Sequence, residues 1–320
     1  MNDKYNTNMK LPKYDINKYD PKKMMLIPTI VFVIAAVIVL VVFATTGMPV
    51  TPGIDFAGGT AVTIQTTDSK EAVEAVFAGY DLKSIDTGVG ANSYYIKFGP
   101  MSNEDMIKFN EYTLSKYPDA SIDQIGANFG ATLQHQAYLA VIFAFIGMAL
   151  VVIIAFRKII PAFTVVFAGI ADITITCAVM NIFGMELSLA TTAALLMLIG
   201  YSVDSNILLT TKVLKRQGKD EEKFANAFRT GFIMTTTTLT AILFMFIVSF
   251  IAGVTTLYSI AGVLFVGLLC DMFFTWVFNA GVLRWYFDRE AKKHGQNREQ
   301  KPKTVIKGSK QSSSKGGVKQ

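Results

Sequence analysis

Residues 200–206 read Gly200-Tyr201-Ser202-Val203-Asp204-Ser205-Asn206, set inside an almost uninterrupted apolar run at 188–211. A carboxylate and four other polar side chains thus stand where lipid would otherwise be. A charge at that depth costs at least ~2.5–3.5 kcal/mol on insertion scales, so its helix must turn it into a bundle interior or a wet cavity. Two more acids, Asp172 and Asp271, interrupt other apolar runs. Together Asp204, Asp172 and Asp271, with Ser205 and Asn206 beside the first, are candidates for ion coupling. A carboxylate away from bulk water can take up and release a proton, and the change of charge alters how helices pack. The competing reading is a buried structural acid bonded to Thr, Tyr or backbone. Thr176 follows Asp172 by one turn, Thr275 follows Asp271 by one turn, and Gly200 precedes Asp204 by one turn, where a small residue allows close helix approach. Asp172 and Asp271 are expected near mid-membrane, Asp204 nearer the cytoplasm.

The elements that must position these groups are membrane spans. Hydrophobic residues make up 52% of the chain and charged ones 17%, a balance typical of integral membrane proteins. Stretches of ~20 apolar residues, enough to cross a ~30 Å hydrocarbon core, fall at about 24–46, 137–156, 159–181, 188–211, 231–251 and 257–283. The first follows a polar leader, is too long for a signal-peptide core and has no cleavage-like site after it, so it is expected to remain as a span. Cys177 and Cys270 lie inside spans, which leaves no disulfide framework or zinc site.

An even number of spans puts both termini on one side. Lys and Arg cluster in the lead-in (Lys10, Lys13, Lys18, Lys22, Lys23), after the second span (Arg157, Lys158) and between the fourth and fifth (Lys212, Lys215, Arg216, Lys219, Lys223, Arg229). The tail from Asp288 holds ten Lys/Arg against three Asp/Glu, a balance of +7, while 47–136 holds five Lys against eleven acids, a balance of −6. The positive-inside rule makes both termini cytoplasmic and 47–136 external in the cell membrane.

The external segment is too long for a loop. Strand-like 61–67, a Ser-capped helix at 69–79, strands at 82–89 and 93–99, a second capped helix at 102–117 with Met106, Phe109 and Leu114 on one side, and a strand at 120–126 give the order β-α-β-β-α-β. That is the ferredoxin-like arrangement, with one sheet face under helices and the other open to a partner or the membrane surface. The fold class is therefore an α-helical membrane protein, a six-helix bundle with one external α+β domain. Its parts are a cytoplasmic segment 1–23, the first span 24–46, the external domain 47–136, the remaining five helices within 137–287, and a basic tail 288–320. The tail's Lys, Ser, Gly and Gln cannot bury a core, so disorder is expected there, with attraction to anionic lipid and no nucleic-acid module. The Thr235–Thr238 run with Thr240 reads equally as cavity lining or as hydroxyls bonded to their own helix.

The stretch GIDFAGGT (53–60) follows the first span. Gly53, Gly58 and Gly59 permit tight turns or positive φ, and Asp55 can bond nearby amides; with no phosphate-loop lysine, nucleotide binding is not implied. GIDFAGGT with Phe56 at its centre, NFGATLQHQA (128–137) leading into the second span, and Gly200-Tyr201-Ser202 in the fourth resemble the SecD/SecF family of protein-export membrane proteins, within the resistance-nodulation-division superfamily, over roughly 24–286. The resemblance implies a SecF-like role beside a SecD-like protein and a SecY-type translocation channel, acting on exported unfolded polypeptide, with proton or sodium flow coupled to movement outside the membrane. Bacterial members carry an acid where Ser205 stands, an Asp-Arg pair where Thr211 and Lys212 stand, and an Arg near Gly231, so the motif resembles the archaeal-type branch. Other classes are a stand-alone exporter of amphiphiles or lipids of the same superfamily, and a non-transporting membrane scaffold. No Ser-His-Asp set, metal cluster or phosphate loop points to an enzyme, and no cofactor is implied.

Overall fold

Helix α1 (Pro21–Thr46) starts on an Asp20 cap whose carboxylate accepts the Lys22 N–H, has proline at its first position, and ends on Gly47 in the left-handed region. The structure, a computed structural model, describes residues 16–90, 92–215 and 220–299. After α1 the chain makes a one-turn helix α2 (Ile54–Ala57) and enters an α+β domain: β1 (Gly59–Gln65), α3 (Lys70–Phe77), β2 (Leu82–Thr87), β3 (Ser93–Phe98), α4 (Asn103–Lys116) and β4 (Ser121–Ile125). The rest is helical: α5 (Ala127–Phe156), α6 (Ile159–Ile182), α7 (Leu189–Lys215), α8 (Asp220–Ala252) and α9 (Thr255–Phe273), which passes through a π-helical turn (Phe274–Asn279) into α10 (Ala280–Glu299).

Among the described residues six helices are long and apolar enough to cross a membrane, as the hydropathy pattern requires. Two begin earlier than expected. Helix α5 starts at Ala127, so the polar stretch before residue 137 is already helical, and α8 starts at Asp220 rather than 231. Hydropathy finds only the lipid-depth part of a helix and misses a polar first turn outside it. Helix α10 likewise continues to Glu299, so the tail is helical beyond 288; residues 300–320 lie outside the described residues. The central helices are α6, α7 and the α9–α10 rod, each half or more buried, while α1, α5 and α8 leave most of their apolar surface outward. In lipid such an outward face carries no penalty.

The four strands form one antiparallel sheet in the order β2-β3-β1-β4, the ferredoxin-like arrangement. Period-two alternation puts Val62, Ile64, Ile96 and Phe98 under the helices, where they pack with Val73, Phe77, Met106 and Phe109. Ser69 and Ser102 cap α3 and α4. In α4 the buried stripe is Met106, Phe109 and Thr113, with Leu114 exposed: a step of seven from Met106 keeps the face, and a step of eight leaves it. The other sheet face lies over two of the bundle's own turns. Lys97 pairs with Glu186 in the α6–α7 turn and with Asp86 at 3.2 Å, and Gln65 and Val89 reach the Gly253 turn between α8 and α9.

Candidate functional site

On α7 the positions Ser202, Ser205, Asn206 and Thr210 recur at steps of three and four, so they form one stripe, and all four are buried. That stripe faces α9 and α6. Gly267 on α9 permits the approach: a Cβ there would stand 2.4 Å from Leu198 Cδ2. From α6 comes Asp172 and from α9 Asp271, and both carboxyls meet the serine hydroxyls of the α7 stripe. Both are shielded from solvent, at 0% and 1% exposure.

The donors to this pair are hydroxyls. Ser202 Oγ donates to Asp172 Oδ2 at 2.6 Å. Ser205 Oγ lies 2.8 and 3.0 Å from the two oxygens of Asp271, and Thr275 Oγ1 lies 3.2 Å from Asp271 Oδ1. One turn further on, Asn206 Nδ2 donates to the Ser202 carbonyl at 2.7 Å, and Asn279 Nδ2 donates to Asn206 Oδ1 at 2.6 Å. Residues 271, 275 and 279 are four apart, and in a 3.6-residue helix each such step drifts ~40° around the axis. The π-helical turn takes in an extra residue per hydrogen-bonded loop and so brings Thr275 and Asn279 back onto the face of Asp271. No Lys or Arg occurs between Lys23 and Lys70, Lys116 and Arg157, Lys158 and Lys212, or Arg229 and Arg284, so no cationic side chain originates within the lipid-depth part of any span.

The structure therefore gathers Asp172, Asp271, Ser202, Ser205 and Asn206 into one cluster and sets Asp204 apart. Asp204 is exposed on the outward side of α7, as is Gly200, whose α-carbon faces open space. Tyr201 packs against the bundle core. The helical step explains the separation, since 202, 205 and 206 share a side that 200 and 204 do not. Asn279 was missed from sequence; its signal is the polar series at steps of four from Asp271. The threonines of α8 mostly bond their own helix, Thr237 to the Ile233 carbonyl, Thr238 to that of Met234 and Thr240 to that of Thr236, while Thr235 is buried.

The GIDFAGGT stretch ties the α+β domain to α7. Gly53 N–H donates to the Leu187 carbonyl at 2.8 Å, Leu187 N–H to that of Thr51 at 2.8 Å, and Asn181 Oδ1 accepts the Thr51 N–H. Asp55 Oδ2 accepts the N–H of Leu189, the first residue of α7, at 2.7 Å, placing a carboxylate at the positive end of that helix. Phe56 is buried among Met48, Val50, Leu187 and Leu195, and its carbonyl accepts from Gln134 Nε2 of α5. Gly58 and Gly59 carry φ of 75° and 127°, and a Cβ on Gly59 would meet the Phe98 carbonyl at 2.6 Å, so the turn into β1 needs glycine. Beside it, burial works to lower the pKa of the Lys97 ammonium, but the bonds and charges of Glu186 and Asp86 outweigh it and hold that pKa above its ordinary value. Burial, with the charges of Glu186, Asp123, Asp55 and Asp86, pushes the Tyr95 phenol up.

Six membrane-length helices with buried acids among them, joined to a small α+β domain, define a multi-pass membrane protein. The family model for the C-terminal region of the protein-export membrane proteins SecD and SecF matches residues 106–289, and that for the SecD/SecF GG motif matches 43–70. The chain is 51% identical over 279 residues to a protein-export membrane protein SecF of Methanolacinia petrolearia, covering 87% of this chain and 98% of the relative. It is 41% identical over 284 residues to the SecF of Pyrococcus furiosus, covering 87% and 94%. Among solved structures, SecDF of Thermus thermophilus, described as a translocon-associated membrane protein, superposes with a TM-score of 0.68 at 21% identity, over 86% of this chain and 39% of that one. The likeness to that longer protein is one of fold. The chain belongs to the SecD/SecF family of protein-export membrane proteins.

Proposed function

We propose that this protein is a SecF-type accessory subunit of protein export, assembled with a SecD-type partner beside a SecY-type channel, and that ion movement through its bundle drives the external domain against exported unfolded polypeptide. Both termini are cytoplasmic in this reading and residues 47–136 lie outside, in keeping with the distribution of Lys and Arg. The observation that carries it is the continuity of α7. Its outer end is capped by Asp55 of the external motif and its middle holds the serines that bond Asp172 and Asp271. A change in the charge of the pair alters the bonds on α7, and α7 is anchored to the moving part. Asp204 has a different task in this scheme. An exposed carboxylate at lipid depth is costly, and with Gly200 beside it the outward side of α7 suits close packing against a helix of the SecD-type partner. SecF-named relatives matching along almost their whole length favour export over a stand-alone amphiphile exporter or a passive scaffold.

The test is secretion of a reporter precursor in cells with wild-type protein, no protein, or the Asp172→Asn/Asp271→Asn double variant at matched membrane abundance. Loss of export in the double variant to the level of the null supports coupling. Normal export in the null removes the export role, and normal export in the double variant alone makes the acids structural.

A further inference from the structure

The end of the bundle where α1, α6 and α10 meet is built from cations and rings. Trp285, Tyr286 and Phe287 are consecutive on α10, so each points to a different side of the helix. Each has a cation over its ring: Arg289 at 5.4 Å, Lys158 of the α5–α6 turn at 5.5 Å and Lys223 of α8 at 5.7 Å from the centroids. Lys158 Nζ also donates to the Tyr286 hydroxyl at 3.4 Å. An ammonium drawn to both a ring face and a hydroxyl is held in place instead of swinging on its stem. The start of α1 stands at the same depth. Gly281 of α10 lies so close to it that a Cβ would meet Met24 Cβ at 2.9 Å, and Arg284 Nη1 donates to the Tyr19 carbonyl at 2.7 Å. Lys22 and Lys23 are thereby brought to the same rim.

Arg157, next to Lys158, is exposed and holds φ of 52° at the end of α5, where glycine would sit without strain. Among the described residues the other non-glycine with positive φ is Asn92, a type that tolerates the left-handed region. A guanidinium is thus kept at a backbone position for which the helix end alone asks for glycine. Arg157, Lys22 and Lys23 form no ion pair among the described residues. Immediately after the two cations the surface turns apolar. Ile159 and, one turn on, Phe163 are 88% and 72% exposed on α6. Adjacent cations above a bare apolar flank, at the rim of a membrane bundle, complement a lipid that carries negative charge in its headgroup and apolar chains beneath it.

We propose that Arg157 and Lys158 bind the phosphate of an anionic phospholipid, with Tyr286 positioning Lys158 and an acyl chain lying against Ile159 and Phe163. The guanidinium fork takes two phosphate oxygens at once, and the ammonium adds a point charge beside it. Lys22 and Lys23 raise the positive potential around the headgroup without touching it. The site requires the spans to lie in a membrane and nothing of the export role, so it stands apart from the function proposed above.

The experiment is native mass spectrometry of the full chain released from bilayer discs of phosphatidylglycerol and phosphatidylcholine in equal parts. The wild type should retain phosphatidylglycerol in preference. Arg157→Gly and Lys158→Gln should each weaken that preference about fivefold, the factor for one charge at the surface, and the double variant about 25-fold. Lys83→Gln in the α+β domain should keep it. Arg157→Gly should also leave the thermal midpoint in detergent without added lipid unchanged or raised, because glycine relieves the positive φ. Loss of preference together with a lowered midpoint would make Arg157 a structural residue and overturn the site. Three further results overturn it: no preference in the wild type, displacement of the lipid by inorganic phosphate at equal concentration, or an unchanged preference in the double variant, which would put the lipid on another basic surface.

Discussion

The carboxylate of Asp55 and the backbone N–H of Leu189 meet at 2.7 Å, although 134 positions separate them in the chain. Through this bond the turn after the first span caps the helix that holds the buried serines. A Ser188–Thr191 pair completes the cap, Ser188 N–H donating to Thr191 Oγ1 at 2.7 Å and Thr191 N–H to Ser188 Oγ at 3.1 Å.

Asp55→Ala should cost about 1 kcal/mol through loss of the cap, and Asp55→Asn only a few tenths because Asn caps almost as well. Hydrogen exchange of the amides at 189–192 in the reconstituted protein reads this. Equal protection in wild type and Asp55→Ala would show that Ser188 and Thr191 suffice.

Gly267→Ala should force α7 and α9 apart, since the Leu198 side chain it meets is fully buried. Overpacking of this kind costs about 1–3 kcal/mol, and it should lower the thermal midpoint in detergent. Adding Leu198→Ala should recover part of the loss. A fall with no rescue would place the damage elsewhere.

Ser205→Ala leaves Asp271 with Thr275 as its remaining hydroxyl donor and should destabilise by about 1–3 kcal/mol, the cost of a buried unsatisfied acceptor. Ser205→Thr, which keeps the hydroxyl, should do so less. Export activity should fall in the same order, measured with the secretion reporter.

Asp204→Leu removes a carboxylate that is costly at lipid depth, so it should leave the isolated chain at least as stable as the wild type, and it should weaken co-purification of the SecD-type partner. Retained partner with lost stability would reverse the assignment of that face.

The Lys97 link to Glu186 has a defined pH behaviour. The folded-state pKa of Lys97 lies above the ordinary lysine value, so its contribution to docking is complete below the ordinary value and lost as pH rises through the higher folded value. Cross-linking of a cysteine pair across the sheet and the α6–α7 turn should therefore hold from neutral pH to about 10 and decline above it. A decline starting near neutrality would mean another group controls the docking.

The spans and the sheet were legible because each is written in one period, a run of apolar residues or an alternation. Polar helical extensions such as 127–136 and 220–230 were not, since nothing at lipid depth marks them. The acids were legible as a set, and their separation was not. Asp204 lies in the conspicuous motif, yet its neighbours Ser202 and Ser205 are the ones that turn inward, and only the phase of α7 against α9 reveals this. Asn279 lies after a π-helical turn, which shifts the phase that a 3.6-residue reading assumes. Contacts such as Lys97 with Glu186 depend on how the domain rests on the bundle, and spacing along the chain carries no record of it.

The wide turn at 274–279 amounts to one residue more than a continuous α-helix would hold. The last span is thus read in two rotational frames. Before the turn, Ala261, Leu264 and Leu268 are set against α7 and α8; after it, Ala280 and Leu283 meet Leu209, Val213 and Phe224 at the opposite end. Removing one residue inside the turn would let an uninterrupted α-helix close with the segments on either side nearly in phase, whereas removing one elsewhere in the span would turn everything beyond it through roughly a quarter of a revolution. Length is accordingly less constrained at this point than in the rest of the span. A deletion scan should find this short stretch the more tolerant of losing a residue and the flanking parts of the same span intolerant.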